Sequence, residues 1–170
     1  MPTLVADASA LVSLGTVAAD DPDPLAVCLN SYETVVPEAV IDELRETASY
    51  DDAHGRAATT VLDRADGFST RPVDLDAEFP LDDGENAAVT LANELDAELL
   101  LCDEFNHLGL VHASLTDSRL VTTPTLLSVF VRTEQLAAAD ARNLLDDISE
   151  ARSWDANSYV QRARSLLDEE

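Results

Sequence analysis

Two short apolar runs that each lead into a carboxylate constrain the fold of this chain most. The run at 3–6 is followed by Asp7, and the run at 99–102 is followed by Asp103. Neither run alternates apolar with polar residues, which is typical of a strand that is covered on both faces. Further runs that favour strands occur at 34–37, 68–73 and 119–123.

Segments with helical spacing of apolar residues separate these runs, at 8–17, 38–44, 52–66, 84–95 and 108–115. Strands that alternate with helices predict an α/β fold with a mostly parallel sheet. Residues 125–170 show a helical pattern without strand signals. We therefore expect a single domain over residues 1–170, in which an α/β core (1–124) carries a helical C-terminal extension (125–170) packed on it.

The charge of the chain excludes several classes of enzyme. Thirty-four acidic residues face ten arginines and no lysine, for a formal net charge of −24. Without lysine the chain cannot be a P-loop NTPase, a pyridoxal-phosphate enzyme or a protein kinase. The acids are spread along the whole chain, which we interpret as adaptation to a haloarchaeal cytoplasm, where molar salt shortens the Debye length to about 3 Å. An acidic mesophilic protein that avoids nucleic acid is the alternative.

The N-terminal residues and the cysteines indicate the cellular compartment of the protein. Residues 1–9 lack the features of a signal peptide, and no apolar run approaches the ~18 residues of a membrane span. Cys28 and Cys102 lie far apart and form neither a zinc motif nor a disulfide framework. We expect a cytoplasmic protein that does not bind membranes.

Four carboxylates are candidates for chemistry. Asp7 and Asp103 close strands, and functional groups of open α/β sheets collect at those carboxyl ends. Glu43 and Glu85 lie on helices that directly follow strand or loop signals. Together the four would make a hard oxygen site for Mg²⁺ or Mn²⁺, able to activate water for attack at phosphorus. The alternative is structural, because Asp7 would also cap a helix and Glu85 would also complete a capping box with Asp82.

Four segments resemble motifs of the PIN-domain family, in the same order along the chain. They read Asp7-Ala8-Ser9-Ala10-Leu11-Val12, Val36-Pro37-x-x-Val40-x-x-Glu43-Leu44, Asp83-Gly84-Glu85-Asn86-Ala87-Ala88-Val89-x-Leu91-Ala92 and Leu99-Leu100-Leu101-Cys102-Asp103-Glu104. The third segment and the stretch around Thr123-Pro124 are similar to the branch of VapC-type toxins. The resemblance implies a PIN-like three-layer α/β/α fold.

The resemblance also implies an activity, that of a metal-dependent endoribonuclease acting as the toxin of a toxin–antitoxin pair. Asp7, Glu43, Glu85 and Asp103 would be catalytic and would hold one or two Mg²⁺ or Mn²⁺ ions. Ser9 would orient Asp7 or a metal-bound water without binding the metal itself, and Glu104 would likewise support the ligands. RNA would be the substrate, with an antitoxin protein as partner and a homodimer as the expected assembly. Relatives commonly carry a basic residue soon after the fourth acid, which this chain lacks.

Two other functions stay open at this point. The same fold could act as a binding module with a weakened catalytic face, through RNA or protein partners. A haloacid-dehalogenase phosphotransferase is the nearest enzyme alternative, but Ser9 stands where that family requires a second aspartate. The histidines at 54, 107 and 112 supply no metal triad, and we expect them to be solvated or hydrogen-bonded. Trp154 and Tyr159 are expected core anchors, or interface residues where the extension is exposed.

Overall fold

The computed structural model describes residues 1–154 and 156–169. One sheet of five strands forms its centre, and every strand pairing is parallel. The strands are β1 (Thr3–Ala6), β2 (Glu33–Pro37), β3 (Ser69–Arg71), β4 (Leu99–Leu101) and β5 (Arg119–Val121). Their order across the sheet is β3-β2-β1-β4-β5. The predicted parallel α/β fold is therefore confirmed.

The strand order reverses beside β1. The chain moves outward from β1 to β2 and β3, and then returns to the other side of β1 for β4 and β5. At the centre, Val5 pairs with both Val35 and Leu100. A crevice for ligands opens at such a switch point, outside the carboxyl ends of the two strands that diverge. In this chain that position lies between the end of β1 and the end of β4.

Helices cover both faces of the sheet. On one face lie α1 (Ala8–Gly15), α2 (Pro24–Ser31), α3 (Glu38–Ala48) and α4 (Ala53–Asp63), followed by a 3₁₀ turn at Ala65–Gly67. On the other face lie α5 (Asp83–Leu95) and α6 (Leu108–Ser114). This division follows from right-handed crossovers, because the direction of travel reverses at β1. Three helices close the chain: α7 (Thr123–Arg132), α8 (Ala138–Arg152) and α9 (Ser158–Asp168).

Two hydrophobic cores result from these layers. The larger core joins Leu4 and Ala6 of β1 to α1, α4 and the three C-terminal helices, and Phe130 is its largest fully buried side chain. The smaller core joins Val5 to Leu91 and its neighbours on α5. Successive residues of β1 thus point into different cores. This explains why Leu4, Val5 and Ala6 are all apolar.

Two elements differ from the sequence-based expectation. The acidic loop at 20–24 does not simply interrupt the chain, because Asp23 accepts hydrogen bonds from two backbone amides and caps α2, which was not predicted. The C-terminal helices begin at Thr123 rather than at 125, since Pro124 is accommodated within the first turn of α7. Among the described residues, the helices are too short or too polar to cross a bilayer.

Candidate active site

Asp7 lies at the switch point, directly after β1. Its backbone N–H donates to the carbonyl of Leu101 at 2.9 Å, which joins the ends of β1 and β4. Ser9 Oγ donates to Asp7 Oδ2 at 3.0 Å, and the Cys102 thiol donates to the same oxygen at 3.5 Å. The Asp7 side chain is almost completely buried. Burial raises the pKa of this carboxyl to about 6, although both side-chain donors oppose the change.

Glu43 approaches Asp7 from α3. Burial and, to a smaller extent, the negative charges of Asp7, Asp82 and Glu104 together raise the pKa of Glu43 to about 7. Gly84, near the start of α5, permits this position, since a Cβ atom there would lie only 1.7 Å from Glu43 Oε1. The glycine in the third motif therefore makes room for the acid of the second motif.

Glu85 is paired with His107. The side chain of Glu85 is 3 % exposed, and its two oxygens lie 2.9 and 3.1 Å from Nδ1 of the exposed His107. Burial raises the pKa of Glu85 to about 7, and the hydrogen bond to Glu85 raises the pKa of His107. We expected His107 to be solvated or hydrogen-bonded, but the sequence did not predict Glu85 as its partner. The pair was missed because it joins α5 to the loop after β4.

Asp103 and Glu104 occupy different surroundings although they are adjacent in sequence. Asp103 is buried, its backbone N–H donates to Ser9 Oγ at 3.0 Å, and its Oδ1 accepts from the Thr123 amide at 2.7 Å. Its Oδ2 is buried without a hydrogen-bond partner among the described atoms. Burial raises the pKa of Asp103. Glu104 is half-buried, and its charge raises the pKa of both Asp7 and Glu43.

The structure gives the two acids different surroundings. Asp103, predicted as the fourth ligand, accepts a hydrogen bond at the amino end of α7. Glu104, predicted as a supporting residue, lies on the side of Asp7 and Glu43, whose pKa values its charge raises. The difference arises because β4 ends at Leu101 and residues 102–104 belong to neither a strand nor a helix. Which of their side chains faces the crevice depends on the path of this connection, and alternation along a strand does not predict it.

Arg152 brings a positive charge to these acids from the end of α8. Its Nη2 donates to the backbone carbonyl of Ser9 at 3.4 Å. Burial lowers the pKa of Arg152, and the charges of Asp103 and Glu104 oppose that change. Arg152 lines an open groove of about 360 Å³ together with Ser9, Glu43 and Glu104. Arg152 was not predicted as a site residue because it lies far along the chain from every motif.

The donor set of this site suits a hard divalent cation. All of its acids present carboxylate oxygens, which Mg²⁺ and Mn²⁺ prefer. Within residues 1–154 and 156–169, however, no three acidic, histidine or cysteine side chains stand close enough to bind a metal as they are. The raised pKa values indicate that protons compete with a cation for the same oxygens. A bound metal would therefore have to draw the side chains together.

Comparisons with known proteins agree with this architecture. A structure search matches a PilT N-terminus domain protein, SSO1118, from the hyperthermophilic archaeon Sulfolobus solfataricus P2, with a TM-score of 0.52 and 18% sequence identity. The match covers 75% of this chain and 92% of that chain, and at this identity it shows a common fold. A search of curated proteins gives no significant match. The family model DUF3368, a PIN domain, matches residues 3–169, and the chain therefore belongs to the PIN-domain family.

Proposed function

We propose that this protein is a metal-dependent endoribonuclease that hydrolyses RNA phosphodiester bonds. PIN domains are in general nucleases that use divalent metals, which supports the reaction class. The observation that carries the proposal is that Glu43 and Glu104, from different elements, line one groove with Ser9, the residue that donates to Asp7, and that the charges of Asp7 and Glu104 raise the pKa of Glu43. Carboxylates that crowd together in this way disfavour their own ionisation until a cation neutralises them.

Each residue of the site has a role in this proposal. Asp7, Glu43, Glu85 and Glu104 would hold Mg²⁺ or Mn²⁺, in one or two sites. The bound metal would supply a Lewis acid that neutralises charge developing at the phosphate. Ser9 fixes the orientation of Asp7 through the hydrogen bond at 3.0 Å.

Arg152 would contact the RNA phosphate from the other side of the groove. A guanidinium group binds phosphate oxygens through paired N–H donors. The charge of Glu104 acts on Arg152, and both side chains line the same groove. It would take the role of the basic residue that relatives carry soon after the fourth acid. Asp103 would act as a positioning residue, since it joins α1 to α7 through Ser9 and Thr123.

The assignment of Glu104 rather than Asp103 as a ligand is testable with two neighbouring substitutions. We expect Glu104→Gln to weaken Mn²⁺ binding at least about 10-fold, because it removes a charge from the acidic cluster. Asp103→Asn should leave Mn²⁺ affinity close to that of the parent and change thermal stability instead. Calorimetric titration of Mn²⁺ in ~2 M KCl, where surface attraction is screened, measures both. The opposite ranking of the two variants would return the ligand role to Asp103.

The close contact of Gly84 with Glu43 gives a second prediction. Gly84→Ala should displace the Glu43 carboxylate, since Oε1 lies 1.7 Å from the new Cβ, and should weaken Mn²⁺ binding roughly 10-fold. The fold should survive because a flexible side chain can move and alanine favours a helix by up to about 1 kcal/mol. Gly109→Ala is the matched control, because nothing lies within 4 Å of its Cβ. Equal Mn²⁺ affinity in the two variants would argue against Glu43 as a ligand.

A binding module with a weakened catalytic face is the second candidate function. The pairing of Glu85 with His107 favours it, because the histidine Nδ1 already lies within hydrogen-bond distance of both oxygens of one proposed ligand. Mn²⁺-dependent cleavage of RNA that stops in EDTA supports the nuclease. RNA binding that is indifferent to Mn²⁺, without cleavage, supports the module. The toxin role, an antitoxin partner, a homodimer and a haloarchaeal cytoplasm are parts of the first proposal that rest on the resemblance and on the acidic composition.

A further inference from the structure

We propose that an aromatic pocket beside the candidate site binds one nucleobase of a single-stranded RNA. The inference rests on the proposed function, because the base would belong to the strand whose phosphate lies at the acidic groove. The cavity has a volume of about 380 Å³, within the range of roughly 300–1,000 Å³ that is usual for small-ligand sites. Its lining includes Leu108, His112, Leu120, Thr122, Thr125 and Tyr159.

Three aromatic rings connect this pocket to the acidic groove. Phe105 follows Glu104 directly in sequence, and its ring lies edge-on to Trp154 at 5.0 Å between centroids. The Tyr159 ring stacks on Phe105 at 5.4 Å with an interplanar angle of 11°. Trp154 is 8 % exposed, whereas Tyr159 is 45 % exposed. Of the two alternatives expected for these residues, Trp154 fits the core anchor, whereas Tyr159 is exposed and forms the accessible outer ring of the stack.

The arrangement fixes the tyrosine before any ligand arrives. The backbone amide of Tyr159 donates to Asn157 Oδ1 at 2.9 Å, at the capped start of α9, and Phe105 supports one face of its ring. An aromatic side chain held in place loses little rotational freedom when a planar ligand stacks on it. Unstacked RNA bases bind to aromatic side chains in this manner.

Charge favours stacking as the means of holding RNA. The chain has a formal net charge of −24, and the described residues that line the pocket include no arginine. Electrostatic attraction for successive phosphates, which supplies much of nucleic-acid binding elsewhere, is therefore weak on this surface. Stacking needs no positive charge and is not screened by molar salt. Apart from the contact with Arg152, the protein would have to bind the RNA strand through its bases.

The polar part of the lining favours a base over a protein partner. Thr122, Thr125 and His112 place hydroxyl and imidazole groups beside the apolar side chains of Leu108 and Leu120. A base has the matching form, with apolar faces and an edge of hydrogen-bond donors and acceptors. A stable protein interface usually buries about 800 Å² on each partner, and the surface of this one pocket is much smaller than that area.

The experiment uses a hexaribonucleotide that contains one 2-aminopurine, whose fluorescence is quenched on stacking. Titration with the full chain in ~2 M KCl and EDTA measures base binding without cleavage. We expect saturable quenching in the parent, and binding about 5- to 150-fold weaker in Tyr159→Leu, as for loss of one stacked base. Tyr159→Phe should retain the quenching because it keeps the ring. Leu166→Ala, at another exposed position of α9, controls for effects on the helix.

Cleavage of the same hexamer in Mn²⁺ separates this inference from the proposed function. Quenching that depends on Tyr159, without any cleavage, supports the base site and contradicts the nuclease. Cleavage together with quenching that is absent in the parent, or unchanged in Tyr159→Leu, overturns the base site and leaves the nuclease standing. A change in the sedimentation coefficient of Tyr159→Leu, with unchanged quenching, would overturn the base site in favour of a protein interface.

Discussion

Substitution of Asp7 by asparagine should reduce Mn²⁺-dependent RNA cleavage more than about 100-fold and yet stabilise the metal-free protein. Residues that merely orient a metal ligand usually contribute 10- to 100-fold to affinity or activity, so loss of a ligand should exceed that. Asparagine keeps the shape of the side chain and still accepts the hydrogen bond from Ser9 Oγ. The expected loss of activity therefore reflects charge and not misfolding.

The gain in stability follows from the burial of Asp7. Burial raises the pKa of this carboxyl from 3.8 to about 6, and each step of one in pKa corresponds to about 1.4 kcal/mol. Near pH 8 the metal-free fold must hold the ionised form, which costs about 3 kcal/mol relative to a neutral side chain. We expect Asp7→Asn to recover about 1 to 3 kcal/mol, or roughly 3 to 9 °C in Tm for a chain of this size.

The measurement combines thermal unfolding in EDTA with cleavage assays in Mn²⁺, both in ~2 M KCl so that surface charges are screened. Asp117→Asn is the matched control, because Asp117 is exposed in the loop before β5. It should change neither quantity. An inactive Asp7→Asn protein with a lower Tm would indicate a structural cap on α1. An active one would remove Asp7 from the reaction.

Local sequence was enough to predict most of the fold and to propose part of the site. Asp7 comes at the end of a buried strand and Ser9 lies in the first turn of α1, and both positions depend on residues within a short stretch. The contribution of Glu43 required only that β2 should pair beside β1. The helix α2 was missed because it is short (Pro24–Ser31) and directly follows an acidic, proline-bearing stretch, although Asp23 and Pro24 form a recognisable helix start.

The remainder of the site depends on contacts that spacing does not encode. Arg152 reaches the groove because α8 packs on α1, and His107 reaches Glu85 because the loop after β4 folds over α5. The different surroundings of Asp103 and Glu104 depend on the path of the connection that follows Leu101. Each is a long-range or loop-dependent arrangement, for which motif order provides no information. Motif order therefore predicts acids at the ends of β1 and β4, but it does not determine which charges line the groove.

The stability of the metal-free protein should rise as the pH falls from 8 to 5. Burial raises the pKa of Asp7 from 3.8 to about 6, and of Glu43 and Glu85 from 4.5 to about 7. The folded state therefore binds protons that the unfolded state has already released. This stabilisation is complete below the unfolded pKa values, near pH 4, and is lost as the pH rises through 6 and 7. Asp7 alone should contribute about 1.4 kcal/mol of added stability at pH 5 relative to pH 8.

Mn²⁺ should reverse this dependence, since it binds the ionised carboxylates and competes with protons. Urea unfolding at pH 5 and pH 8, in EDTA and in excess Mn²⁺, measures the four free energies of unfolding. We expect the gain from Mn²⁺ to be large at pH 8 and small at pH 5, because mass action stabilises only the form that binds. Asp7→Asn should flatten the pH dependence in EDTA. A parent protein whose stability in EDTA rises with pH would show that these carboxylates are stabilised as anions, and would contradict a crowded metal site at the end of β1.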